Sequence, residues 1–158
     1  MKTQILKLSA VVMLLAFICA GCQDEEQLPP LEDKQLTVSE IKMQGCKENT
    51  KSTDIERYIE LKAEGENQLR VKFINATLNC CSGEITTNAF IQNDTLKVVF
   101  IEQYPGGCNC ICNFDLECLI DSMENRTYTT QVAAHGEIAK FTFKYSSALY
   151  FKIKVSNK

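Results

Sequence analysis

The feature that most constrains this chain is a period of two. Near the carboxyl end Ala139, Phe141, Phe143 and Tyr145 alternate with Lys140, Thr142 and Lys144, and Leu149, Phe151, Ile153 and Val155 alternate with Tyr150, Lys152 and Lys154. Successive side chains of a strand point to opposite faces, so such runs bury one face and wet the other, whereas a helix repeats its apolar face every three to four residues. Ile59, Leu61 and Ala63 alternate in the same way with Glu60, Lys62 and Glu64. Leu69, Val71 and Phe73 do so with Arg70 and Lys72, after which Ile74, Ala76 and Leu78 take over the apolar phase. That change of parity predicts a bulge at Ile74-Asn75.

Asn93-Asp94, His135-Gly136 and Ser146-Ser147 lie between such runs and read as turns, which makes neighbouring strands hairpin partners and the sheets antiparallel. No long helix is expected. Thr53-Asp54-Ile55-Glu56 has the form of a capping box, which leaves open a short helical turn carrying Ile55, Tyr58, Ile59 and Lys62 on one face. Eight or nine short strands at this spacing point to an all-β sandwich or barrel. The segment from Ile120 to Tyr128 resembles the crossing of fibronectin- and immunoglobulin-like sandwiches, in which a tyrosine hydroxyl bonds back to the chain. That likeness implies an antiparallel, immunoglobulin- or fibronectin-like β-sandwich.

The amino terminus reads differently. Lys2 and Lys7, with no acid, precede an apolar stretch from Leu8 to Ala20, which is the layout of a signal peptide and is shorter than the ~20 apolar residues of a membrane-spanning helix. Its end, Cys19-Ala20-Gly21-Cys22, resembles the lipobox of bacterial lipoproteins. The resemblance implies that residues 1–21 are removed and that Cys22 is acylated; an ordinary signal peptide cut near Ala20 is the alternative. The following Gln23-Asp24-Glu25-Glu26 is similar to the acidic export signal that sends lipoproteins of the Bacteroides group to the outer face of the outer membrane, and it reads equally as a solvated charge run. Residues 22–35, with Pro29-Pro30 and five acids, are expected to be a flexible linker, and residues 36–158 a single β-sandwich domain.

Of 17 basic and 20 acidic side chains, Lys2 and Lys7 leave with the signal, so the mature chain carries 15 against 20, a formal charge of −5. Nucleic acid is therefore not the expected partner. The domain is long enough to bury a core unaided, so its cysteines are additional to what its size requires.

Those cysteines are the most distinctive residues. Cys108-Asn109-Cys110-Ile111-Cys112-Asn113-Phe114-Asp115-Leu116 resembles a cysteine-x-cysteine-x-cysteine run before an aromatic-Asp-Leu strand in uncharacterised Bacteroides-group lipoproteins, a likeness that brings no activity with it. Cys118 stands where those relatives carry an aromatic residue, and it falls in phase with Phe114, Leu116 and Ile120 on the inward face, so it is expected to be a buried, reduced thiol. Six cysteines remain: Cys46, Cys80, Cys81, Cys108, Cys110 and Cys112. An exported compartment and an even number favour disulfides. A zinc or copper(I) site and a thiol-redox centre are the other two readings, although neither the paired spacing of a zinc ribbon nor that of a thioredoxin motif is present. Residues two apart on an extended strand rise about 7 Å, beyond the ~4.4–6.8 Å usual between bridged Cα atoms. Cys46, Cys80 and Cys81 should therefore bond across to Cys108, Cys110 and Cys112, with the individual pairs left open.

His135, the sole histidine, reads as a turn residue, and Asp115 as an ordinary outward carboxylate. No nucleophile, paired acid or cofactor motif stands out. The expected function is a surface-exposed outer-membrane lipoprotein acting as a non-enzymatic binding or accessory module, anchored through Cys22, with an unknown extracellular ligand or protein partner. A metal-binding or thiol-redox protein is the alternative.

Overall fold

The computed structural model describes residues 30–47, 55–103 and 108–156. Cys22, the acidic residues Asp24 to Glu26 and the first half of the capping box, Thr53 and Asp54, lie outside these residues, while Tyr58, Ile59 and Lys62 of the alternative helical face lie in a strand. Ten strands follow in order: β1 (Lys34–Leu36), β2 (Val38–Lys47), β3 (Arg57–Glu64), β4 (Gln68–Asn79), β5 (Glu84–Gln92), β6 (Thr95–Gln103), β7 (Ile111–Ile120), β8 (Thr127–Ala134), β9 (Glu137–Lys144) and β10 (Tyr150–Val155). They form two five-stranded sheets, β1-β5-β6-β8-β9 and β10-β3-β4-β7-β2, packed as a β-sandwich. The alternating residues supply the core between them. Ile59, Leu61, Phe73, Leu96, Leu116 and Val132 are fully buried, while their sequence neighbours face outward.

Only β3–β4, β5–β6 and β8–β9 are hairpins; the other six connections, where hairpin partners are expected, change sheet or skip strands. β6 and β8 run parallel, from Thr95 beside Thr129 to Phe100 beside Ala134. The chain crosses to the other sheet for β7 and returns, reversing twice, so β8 re-enters in the direction of β6. β9 and β10 are not hairpin partners either. β10 pairs with β3 in the opposite sheet, Phe151 beside Leu61. Both strands carry an apolar face, and they bury it against each other across the sandwich, with the Phe141 and Phe151 rings 5.5 Å apart between centroids.

The crossing from Ile120 to Tyr128 is present, and the Glu124 N–H donates to the Tyr128 hydroxyl oxygen at 2.9 Å. The turns at Asn93-Asp94 and His135-Gly136 have φ of 48°, 57°, 43° and 80°, the left-handed pairs that suit the twist of a two-residue hairpin. The parity change in β4 is a bulge: pairing with β7 jumps between Phe73 and Ala76, and Asn75 has φ 59°. Asp115 is therefore not an idle surface acid, because its Oδ1 accepts the Asn75 N–H at 3.0 Å where the bulge leaves the ladder.

The domain begins before residue 36. Lys34 and Gln35, expected in the linker, pair with Ile91 and Phe90 of β5. The Leu31 N–H donates to Asp94 Oδ1 at 2.6 Å and the Asn93 N–H to Asp33 Oδ1 at 2.8 Å. Asp33, one of the acids of the expected linker, and the Leu31 N–H thus dock the incoming chain on the β5–β6 turn.

Candidate functional site

The sandwich has two unlike ends. At one, the incoming segment at Leu31 meets the β5–β6 turn, and beside it lie the β3–β4 turn and the crossing after Ile120. At the other, β4 finishes in the turn at Cys80-Cys81, β7 is entered from Cys108 and Cys110, and β2 arrives with Cys46.

Local structure aims these cysteines. Pairing of β2 with β7 slips by one residue between Gln44 and Lys47, and Gly45 has φ 64°, a backbone state open to glycine at no steric cost. That bulge lays Cys46 over Cys112, with Cα atoms 5.2 Å apart, in the first of three disulfides. Cys80 pairs with Cys110 at 5.6 Å and Cys81 with Cys108 at 6.0 Å. Each cysteine from the first set meets one from the second. Cys80 and Cys81 can serve different partners because β4 has ended and the chain is turning, and the Cys80 N–H donates to the Cys110 carbonyl at 3.1 Å. Cys118 faces Val71 from within the core as a free thiol, and burial pushes it up to about 12.

A polar network locks this end. One oxygen of the Glu102 carboxylate accepts the Asn79 N–H at 2.9 Å, while the other lies 2.8 Å from His135 Nδ1. Asn79 Oδ1 accepts the Cys81 N–H at 2.9 Å, and its Nδ2 donates to the Cys108 carbonyl at 3.1 Å. The histidine is in the turn that its sequence indicates, but it also closes a chain running through Glu102 and Asn79 to two disulfide loops. Neither Asn79 nor Glu102 is marked by a local motif, since they meet only when β4 is brought against β6.

Asn79, Phe100, Ile101, Glu102 and His135 line a shallow recess of about 470 Å3. Ile101 and Ile111 are exposed beside the stapled loops. Cross-linked loops around partly exposed apolar and polar groups lose little conformational freedom on engaging a partner, which is what a recognition surface requires. The other three sequence-marked positions that bear on attachment, Asp24, Glu25 and Glu26, and Cys22 itself, are outside the described residues. Comparison of the chain with family models, curated proteins and solved structures returns no match.

Proposed function

We propose that this chain is a non-enzymatic binding or accessory module, exported and lipid-anchored at the outer membrane through Cys22, which presents its cysteine-stapled end to the exterior. The observation that carries this reading is the opposition of the two ends: the segment leading from the anchor docks at Asn93-Asp94, while the three disulfides gather at the far pole. Six thiols standing as disulfide pairs suit an oxidising, exported compartment. A protein hung from a lipid on its amino-terminal segment offers its opposite pole to whatever approaches from outside.

Protease digestion of intact cells tests the topology. The wild-type chain should be cut, a variant with Asp24, Glu25 and Glu26 all changed to Ala should be protected by retention on the periplasmic leaflet, and Cys22→Ala should give an unanchored or unprocessed product. Membrane retention of processed Cys22→Ala would end the lipoprotein reading. Anaerobic purification followed by metal analysis tests the rest: stoichiometric zinc or copper surviving dialysis would transfer Cys46, Cys80, Cys81, Cys108, Cys110 and Cys112 to a metal or redox role.

A further inference from the structure

At one side of the sandwich the two sheets end on β9 and β10, whose outer backbone edges have no neighbouring strand among the described residues. Between these edges, toward the stapled pole, runs a groove of about 600 Å3 whose walls include Arg57, Glu137, Phe141, Ile153 and Val155. Arg57 and Glu137 form an ion pair from sheet to sheet. Yet Arg57 Nε and Glu137 Oε2, both shielded from solvent, have no hydrogen-bond partner among the described residues. A donor and an acceptor left open together in a partly apolar groove match what a peptide backbone offers, a carbonyl and an N–H.

Charge distinguishes the two edges. On β10, Lys154 Nζ is 2.6 Å from Glu56, and Lys152 lies 4.0 Å from Glu60 and above the Tyr58 ring. On β9, the outward positions are Ile138, Lys140, Thr142 and Lys144, all exposed, and neither lysine has an acidic partner among the described residues. Unpaired lysines on an edge repel a second copy of the same edge. They attract an added strand that carries acids at the facing positions. The inward residues of that strand would follow the line of Ala139 and Phe141 into the groove.

We propose that β9 is a strand-addition site for an extended segment of a partner polypeptide in which acidic residues alternate with apolar ones, the acids lying beside Lys140 and Lys144 and the apolar side chains filling the groove toward Ile153 and Val155. Backbone pairing supplies affinity, and the alternating pockets and charges supply selection. This inference concerns a different surface from the stapled end and stands apart from how the protein is anchored.

The test uses the purified full-length chain and fluorescent peptides of the length of β9, eight residues, one alternating Glu with Val and one alternating Lys with Val. The acidic peptide should bind and the basic one should not. Lys140→Glu with Lys144→Glu should weaken the acidic peptide about tenfold and admit the basic one, a gain that a misfolded variant cannot give. Lys152→Glu, on β10 but outside the groove lining, should leave acidic-peptide binding unchanged. N-methylating alternate residues of the acidic peptide should abolish binding in one phase and spare it in the other, because an added strand uses only one of its own edges. Equal binding of both peptides, no binding of either, sensitivity to Lys152 in place of the β9 pair, or indifference to both methylation phases would each overturn the proposal.

Discussion

Cys118 sits near the carboxyl end of β7 with no exposed surface, and its thiol is raised to about 12 chiefly because burial penalises the thiolate. Two consequences follow from treating it as a small hydrophobe. Iodoacetamide should leave it unmodified in the native chain and label it only after unfolding, as intact mass spectrometry without reduction would reveal. Cys118→Ala should cost roughly 1 kcal/mol in urea denaturation, whereas Cys118→Ser should cost a further ~1–3 kcal/mol because its hydroxyl finds no partner there. Equal losses for the two would mean that the site is wetter than its burial implies. The inward phase of Cys118 was legible from Phe114, Leu116 and Ile120. The role of Asp115 was not, since its value lies in an N–H forty residues away that is freed only by a bulge in another strand. Arg70 is similar: it reads as one polar residue of an alternating strand, but its guanidinium gathers Glu64 at 2.5 Å and Glu40 at 2.8 Å and also bonds Glu117. Hydrogen bonding from Arg70 holds Glu64 below the usual carboxylate range. Burial of Glu117 pulls the other way, but Lys72 and Arg70 outweigh it and that carboxyl is lowered too. Depressed carboxylates stabilise the fold above the unfolded-state value near ~4.3 and lose that contribution as pH falls through the folded value. Arg70→Gln should therefore cost about 1–3 kcal/mol at pH 7, and its stability curve should converge on that of wild type below about pH 4. Parallel curves throughout would assign the loss to packing instead of charge.

Among the elements, the three bulges share one logic. β2 slips against β7 between Ser39 and Lys42 and again between Gln44 and Lys47, and β4 slips between Phe73 and Ala76. Each inserts one residue, turns the following side chains to the other face, and aims something: Glu40 toward Arg70, Cys46 toward Cys112, the Asn75 N–H toward Asp115. Asn75 is the one whose bulge shows in the sequence, because strict alternation on both sides reveals the lost phase, whereas β2 alternates too irregularly to expose its slips. Asn75 tolerates φ 59°, and its Nδ2 donates to the Glu56 carbonyl at 2.8 Å. Asn75→Gly should be mild, while Asn75→Val, which forces a β-branched residue into the left-handed region, should cost about 1–3 kcal/mol in thermal or urea unfolding. If Val were tolerated as well as Gly, the bulge would have to be able to relocate along β4.

At the scale of the whole molecule, the disulfides tie together segments that arrive late in each other's sequence. Cys46–Cys112 spans 66 residues, against 30 for Cys80–Cys110 and 27 for Cys81–Cys108. On loop-closure grounds its removal by Cys46→Ala with Cys112→Ala should destabilise the chain by about 4 kcal/mol, somewhat more than loss of either shorter bridge. Urea midpoints of the three double-alanine variants would check that order, and a larger loss from Cys81–Cys108 would assign the stabilisation to the rigidity of the tip rather than to the unfolded chain. Local chemistry was enough to determine the alternating strands β3, β4, β9 and β10 with their inward faces, the two left-handed hairpin turns and the division of the cysteines into a buried one and two sets of three, because each depends on a period or a backbone preference carried by neighbouring residues. It pointed to eight or nine strands where there are ten, and left Lys34 and Gln35 of β1 in the linker. It did not determine that β10 joins β3, that β6 and β8 run parallel, which cysteine meets which, or that Asn79, Glu102 and His135 form one network. Those follow from how two apolar sheet faces stack, a choice made by long-range burial on which a period of two is silent.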